Sequence, residues 1–409
     1  MTAAHSAPVR QSTAQIGRPA STYNNAIGYL RAFLVVLVVA HHTALTYHPY
    51  APPRPASLLT QPRLWLAFPV VDSQRWGGAP LFCGFNDVFF MSLLFFLSGL
   101  FVWNSLQRKG GAAFLHERFL RLGIPFIVSA VVLAPLAYYP TYLQIRGHDG
   151  FGDFVHQWLS LGSWSAGPAW FIWVLLVFDC IARLLFAVAP DWGETLGQFV
   201  GGVSRRPVLS CAGLVAVSAV LYVPLAIWLS PGYWSAFGPF VFQTCRILHY
   251  LAYFLIGVGV GAYGLDRGLL APDGKLARRW PLWVLRAVAA FMAAATVTII
   301  GLTTYPKSLG WAIAYDSLFS VSCAASCFAF LALFVRFAQS RSSFFDSLSR
   351  NSYGIYIVHY AFVSWLCYAI VPASLPGFAK FIVALAAAVA LSWATTVLMR
   401  RIPAVARVV

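Results

Sequence analysis

The 409-residue chain is 60% hydrophobic and only 10% charged, with a mean hydropathy of +0.73, more apolar surface than a water-soluble domain of this length can bury. A net charge of +16 would point to nucleic acid in a soluble protein, but here the basic residues fall mostly in short segments that alternate along the chain. That pattern is a membrane-topology signal; it excludes a nucleic-acid partner and predicts an all-α, polytopic membrane protein.

The first two dozen residues are polar, carry Arg10 and Arg18 and have no apolar h-region, so residues 1–24 read as a disordered tail rather than a cleaved signal peptide. Apolar runs long enough to cross a bilayer follow near 27–47, 86–104, 122–143, 168–189, 208–229, 247–264, 282–302, 312–336, 353–371 and 378–399, each bounded by Pro, Gly or charge. These ten runs predict one bundle over residues 25–403, followed by a short tail at 404–409. Lysines and arginines divide 21 to 7 between the two alternating sets of connections, which places both termini in the cytoplasm. The segment 48–85 reads as a partly ordered outer cap. The seven cysteines (83, 180, 211, 245, 323, 327 and 367) are scattered through apolar segments as small hydrophobes, and no metal shell is expected around them.

Within the first run, Arg31 and His42 are eleven residues apart. At about 100° per residue they fall on one face, roughly 16 Å apart along the axis, while His41 lies some 80° away. An ionisable residue inside a bilayer is costly, so a persistent one is a functional candidate. Arg118-Phe-Leu-Arg121, at the start of the third run, places two guanidinium groups at i, i+3, a spacing that suits phosphate oxygens; snorkelling to lipid headgroups is the plainer alternative. Together, Arg31, Arg118 and Arg121 could hold the phosphates of a long anion such as an acyl-coenzyme A while its thioester reaches His42. A histidine merely hydrogen-bonded within the bundle is the alternative for His42.

Asp179 lies near the middle of the fourth run, with Arg183 four residues on as its expected ion-pair partner. A catalytic role beside His42 stands equally open. Asp87, Arg246, His249 and Asp316 fall near outer span ends, as acceptor ligands or interfacial anchors. Trp65, Trp76, Trp158, Trp164 and Trp234 read as an interfacial belt. His359, with Tyr356 one turn earlier, is expected a turn or two inside the cytoplasmic edge of the ninth run, as a site residue or an interhelical hydrogen-bond partner.

Several of these segments together resemble the acyltransferase 3 family of multi-pass membrane acyltransferases. They are Tyr29-Leu-Arg31 through His42, Phe95-Phe-Leu-Ser-Gly99, Arg118-x-x-Arg121 with Pro125, Gly167-Pro-Ala-Trp170-Phe171, and Ser352-Tyr-Gly-Ile-Tyr356-Ile-Val-His359. The resemblance covers nearly the whole chain. It departs at Pro168-Ala169, where many members carry a His just before the Trp-Phe pair.

The resemblance implies O-acylation: an acetyl or succinyl-like group passes from cytoplasmic acyl-CoA, acetyl-CoA above all, to a hydroxyl of an extracytoplasmic glycan, in a bacterial cytoplasmic membrane. It implies catalytic roles for His42, Arg31, Asp179 and His359, and donor binding by Arg31, Arg118, Arg121 and Tyr356. Acceptor contacts are expected at Trp170, Asp87, His249 and Asp316. The rival expectation is a carrier that moves an anionic or lipid-linked solute with the same charges and no acyl chemistry.

Overall fold

A computed structural model describes residues 25–52, 70–147, 150–161, 165–304 and 308–408; the tail 1–24, Trp65 and Trp164 lie outside these segments. Ten helices among the described residues are long and apolar enough to span a bilayer. They are α1 (Asn25–Leu45), α2 (Ala79–Lys109), α3 (Gly111–Arg146), α4 (Gly167–Val188), α5 (Pro207–Leu229), α6 (Thr244–Tyr263), α7 (Trp280–Gly301), α8 (Leu309–Phe337), α9 (Ser343–Ile370) and α10 (Gly377–Met399). Two shorter helices, Phe151–Ser160 and Trp192–Ser204, and a two-stranded hairpin, β1 (Trp234–Phe237) with β2 (Phe240–Gln243), connect them.

All ten expected runs are helices, but several helices outgrow them. α9 starts ten residues before the apolar run at 353. Its first turns are too polar to register as a span, yet Tyr29 of α1 secures them: the Tyr29 hydroxyl donates to Asp346 Oδ1 at 2.6 Å and accepts from the Ser342 N–H at 3.1 Å. α3 likewise begins at Gly111, after the reversal at Gly110, whose φ of +75° favours glycine. It also contains two π-helical stretches, Phe119–Gly123 and Ser129–Leu133.

α1, α2, α6 and α8 are the most buried spans, and α5 and α7 the least. α1 packs on α2 and α9, α2 on α6, and α9 on α3 and α10, so the helix bearing Arg31 and His42 is central. The contact between α2 and α6 depends on small residues. A Cβ on Gly257 or Gly261 would strike the carbonyls of Phe96 or Leu100, so this Gly-x-x-x-Gly pair lets the two backbones touch.

At the end of the bundle opposite Arg31, the segment before α2 clamps the end of α1. The Asp72 N–H donates to the Thr46 carbonyl at 3.1 Å, and the Trp76 N–H to that of Tyr47 at 2.8 Å. Asp72 is fully buried, and its Oδ2 accepts from Lys380 Nζ of α10 at 2.7 Å. The half-buried Trp76 ring stacks on Phe381 of α10, 4.9 Å between centroids. Trp158, expected in an interfacial belt, is an internal residue, 4% exposed and stacked on Tyr138 at 5.2 Å.

Candidate active site

A cavity of about 510 Å³ enters the bundle between α1, α2, α3, α4 and α9. Its basic lining is supplied by Arg31, Arg108, Lys109, Arg118 and Arg121, and its apolar depth by residues including Val35, Leu94 and Phe171. This volume falls in the usual range for a small-molecule pocket. The charge is not all free, because Glu117 also lines it, bonded to Lys109 and lying 3.6 Å from Arg121 Nη1.

Arg118 and Arg121 both line the cavity, as the i, i+3 spacing predicts. The π stretch Phe119–Gly123 starts directly after Arg118 and includes Arg121. The Arg118 side chain is 22% exposed and turns inward, whereas that of Arg121 is 49% exposed near the rim. The Arg121 carbonyl accepts a hydrogen bond from the Tyr353 hydroxyl, which ties this irregular segment to α9.

Asp179 lines the same cavity, 1% exposed, and its partner is Arg118, with Nε 3.3 Å from Oδ2. This corrects the expected pairing with Arg183. One turn farther along α4, Arg183 lies instead against Gly111, where a Cβ would collide with its side chain. A tertiary partner wins because a carboxylate at this depth needs a cation at its own level.

α1 carries the axis of the site. Arg31 and Val35 line the cavity; Val38, on the same face and 2% exposed, follows; His42 stands one turn farther. The His42 ring lies 5.4 Å from His359 and 5.0 Å, edge-on, from Tyr360. Tyr356 connects this cluster to the cavity: it lines the cavity wall, its hydroxyl donates to the Pro168 carbonyl, and its ring lies 5.7 Å from His359. His359 is sixteen residues into α9, about 24 Å from its start by helical rise. It is therefore mid-helix, while still less than two turns past the start of the apolar run at 353.

The hydrogen bonding of His359 sets its tautomer. Its Nδ1 lies 2.7 Å from the Tyr356 carbonyl, which only accepts, so Nδ1 carries the proton and Nε2 of the neutral ring keeps a lone pair. That Nε2 and His42 Nδ1 are buried atoms without a hydrogen-bond partner among the described residues. Two imidazoles thus lie side by side, each with a buried ring nitrogen that has no partner among the described residues.

On the far side of His42, the neighbouring His41 ring lies 5.2 Å from Phe90. One turn before Phe90 on α2, Asp87 has a half-exposed side chain and is held by Arg246, with Nη2 2.8 Å from Oδ2. Arg246 is buried over the Phe319 ring at 4.5 Å. Exposed Leu81 and Gly84 continue the Asp87 face toward the far end of the bundle.

His249 and Asp316 do not join that face. His249 is wholly buried, with Ser218 Oγ 2.6 Å from Nδ1 and Ser92 Oγ 2.9 Å from Nε2. Asp316 is 1% exposed and accepts from Tyr222 at 3.2 Å. Both lie near the starts of their spans, as expected, but side chains of neighbouring helices enclose them, Ser92 and Ser218 at His249 and Tyr222 at Asp316. Trp170, at the start of the regular part of α4, packs edge-on against Trp234 of β1 at 5.7 Å and lies outside the cavity lining. Residues the sequence reading passed over are Arg108 and Lys109, taken only as topology charge, and Tyr360, whose adjacency to His359 was the available signal.

Ten candidate spans among the described residues, with a basic cavity between five of them, define a polytopic membrane protein. The family of the acyltransferase domain, acyltransferase 3, matches residues 24–397, and the chain belongs to it; it is a membrane acyltransferase by family. Neither a curated protein nor a solved structure matches the chain.

Proposed function

We propose that the protein transfers a short acyl group, acetyl or succinyl-like, from acyl-CoA to a hydroxyl of an extracytoplasmic glycan or similar acceptor. The observation that carries the reading is a chain of contacts: Tyr356 lines the basic cavity, its ring lies 5.7 Å from that of His359, and the His359 ring lies 5.4 Å from that of His42, neither histidine lining the cavity itself. In this reading the face bearing the cavity mouth and both termini is cytoplasmic, and the membrane is the bacterial cytoplasmic membrane.

The coenzyme phosphates are held by Arg31, Arg118 and Arg121, whose forked donors match phosphate oxygens. The pantetheine arm descends along Val35 and Tyr356, its span of the same order as the roughly 16 Å between Arg31 and His42. The acceptor approaches from the far side along the Asp87 face. His42, as a neutral imidazole, takes the acceptor hydroxyl proton while that oxygen attacks the thioester carbonyl; collapse of the adduct expels the thiolate, which recovers the proton. His359 orients the reacting groups through its unprotonated Nε2. Asp179 acts at one remove, by holding Arg118 at the cavity wall.

The test is acyl transfer by purified protein supplied with labelled acetyl-CoA and an oligosaccharide acceptor. His42→Ala should slow ester formation by a factor of roughly 100 or more while equilibrium binding of the coenzyme persists. Transport of an anionic solute into liposomes by protein that never consumes acyl-CoA would overturn the reading in favour of a carrier.

A further inference from the structure

A second cavity, about 210 Å³, opens between the first turn of α5, the short helix Lys275–Arg278 and the first turns of α7. It shares no lining residue with the first. Four of its seven lining residues are cations, Arg206, Lys275, Arg279 and Arg286, and none is acidic. Among the described residues none of the four cations is in an ion pair. Such a convergence of like charge is self-repelling, and it calls for an anion from outside the chain.

The surroundings say which kind. Arg286 lies over the ring of Trp283 at 4.6 Å, and Trp283 is 2% exposed, so the guanidinium stands on a fixed platform. α5 and α7 are the two least buried spans, and directly beside the cavity they present Val208, Leu209, Leu282 and Leu285, each about half exposed or more. A phosphate-bearing head would meet the cations while attached hydrocarbon chains met this apolar surface. Free phosphate would use only the first.

We propose that this cavity is a specific site for an anionic phospholipid, with a two-phosphate lipid of the cardiolipin type favoured over a single-phosphate one because four cations converge there.

Native mass spectrometry of the full-length protein, titrated with cardiolipin, phosphatidylglycerol and phosphatidylethanolamine, tests this directly. The anionic lipids should be retained as one tight equivalent, cardiolipin most tightly. The triple variant Arg206→Gln, Arg279→Gln, Arg286→Gln should weaken that equivalent on the order of 100-fold, each cation being worth a factor of about five. Arg401→Gln with Arg407→Gln, which removes charge elsewhere on the same face, should leave it unchanged.

Millimolar inorganic phosphate should not displace the lipid; displacement would assign the site to soluble phosphate instead. Equal lipid binding by the triple variant, or equal loss in the control, would overturn the proposal. A photoactivatable cardiolipin on the unmodified protein removes dependence on the variant's folding: crosslinks should map to residues 206–209 and 279–286, and their absence there would also overturn it.

Discussion

Arg118 has two demands on one guanidinium. It faces the cavity, and it is the only cation beside the buried Asp179 carboxylate in an ion pair among the described residues. Removing it should therefore do more than weaken ligand binding. Arg118→Ala is expected to destabilise the protein by about 3 kcal/mol, the low end for a broken buried pair because the arginine is partly exposed. Adding Asp179→Asn should restore most of the melting temperature without restoring coenzyme affinity, and thermal melting in detergent beside a coenzyme-binding isotherm separates the two effects. Arg31→Ala, whose residue is exposed at the cavity, should instead raise KM about tenfold or more with little loss of stability, as expected when a charge-assisted hydrogen bond is lost. His42→Ala should lower kcat by a factor of roughly 100 to 10,000 with smaller change in KM, the signature of a lost general base.

The Arg31–His42 register was legible because α1 is a regular helix and angular arithmetic holds along it. The Asp179 partner was not legible: nearest-neighbour spacing favoured Arg183, and only tertiary packing brings Arg118 across from α3. His249 shows the same limit from another side. Its burial among Ser92, Ser218 and Cys323, on three different helices, has no trace in local spacing.

Among the elements, α2 and α6 set the tightest tolerance. Gly261→Ala should lower stability by about 3 kcal/mol or more, since the new methyl meets a backbone carbonyl that no rotamer change relieves, whereas Gly213→Ala, in open space on α5, should be nearly neutral. Melting temperatures of the two variants, compared with the parent, check this contrast.

Hydropathy located all ten spans because the bilayer imposes a minimum apolar length. It misjudged the ends of α3 and α9 because those helices continue beyond the apolar stretch, one through the π stretch Phe119–Gly123, the other through contacts with Tyr29. Both extensions matter to the site: the first carries Arg118, which lines the cavity, and the second is fixed to α1, the helix of Arg31 and His42, by Tyr29.

For the whole molecule, the proposed orientation makes opposite demands on two exposed loop positions. With a membrane-impermeant maleimide on intact cells, Ser374→Cys, between α9 and α10, should label, and Asp273→Cys, between α6 and α7, should label only after the membrane is opened. The reverse pattern would invert the molecule and remove the proposed supply of coenzyme from the cytoplasm.

The separation between the mouth of the basic cavity and the Asp87 face beyond His42 has an electrical corollary. Under the proposed chemistry an acylium equivalent leaves toward the acceptor while a proton from its hydroxyl travels the other way onto the departing thiol, so the two displaced charges cancel. A charge that truly crossed would feel about 2.3 kcal/mol per 100 mV. Turnover in sealed vesicles should therefore be indifferent to a potassium diffusion potential of either sign, and a voltage-dependent rate would mean that the two movements are not coupled through a single imidazole.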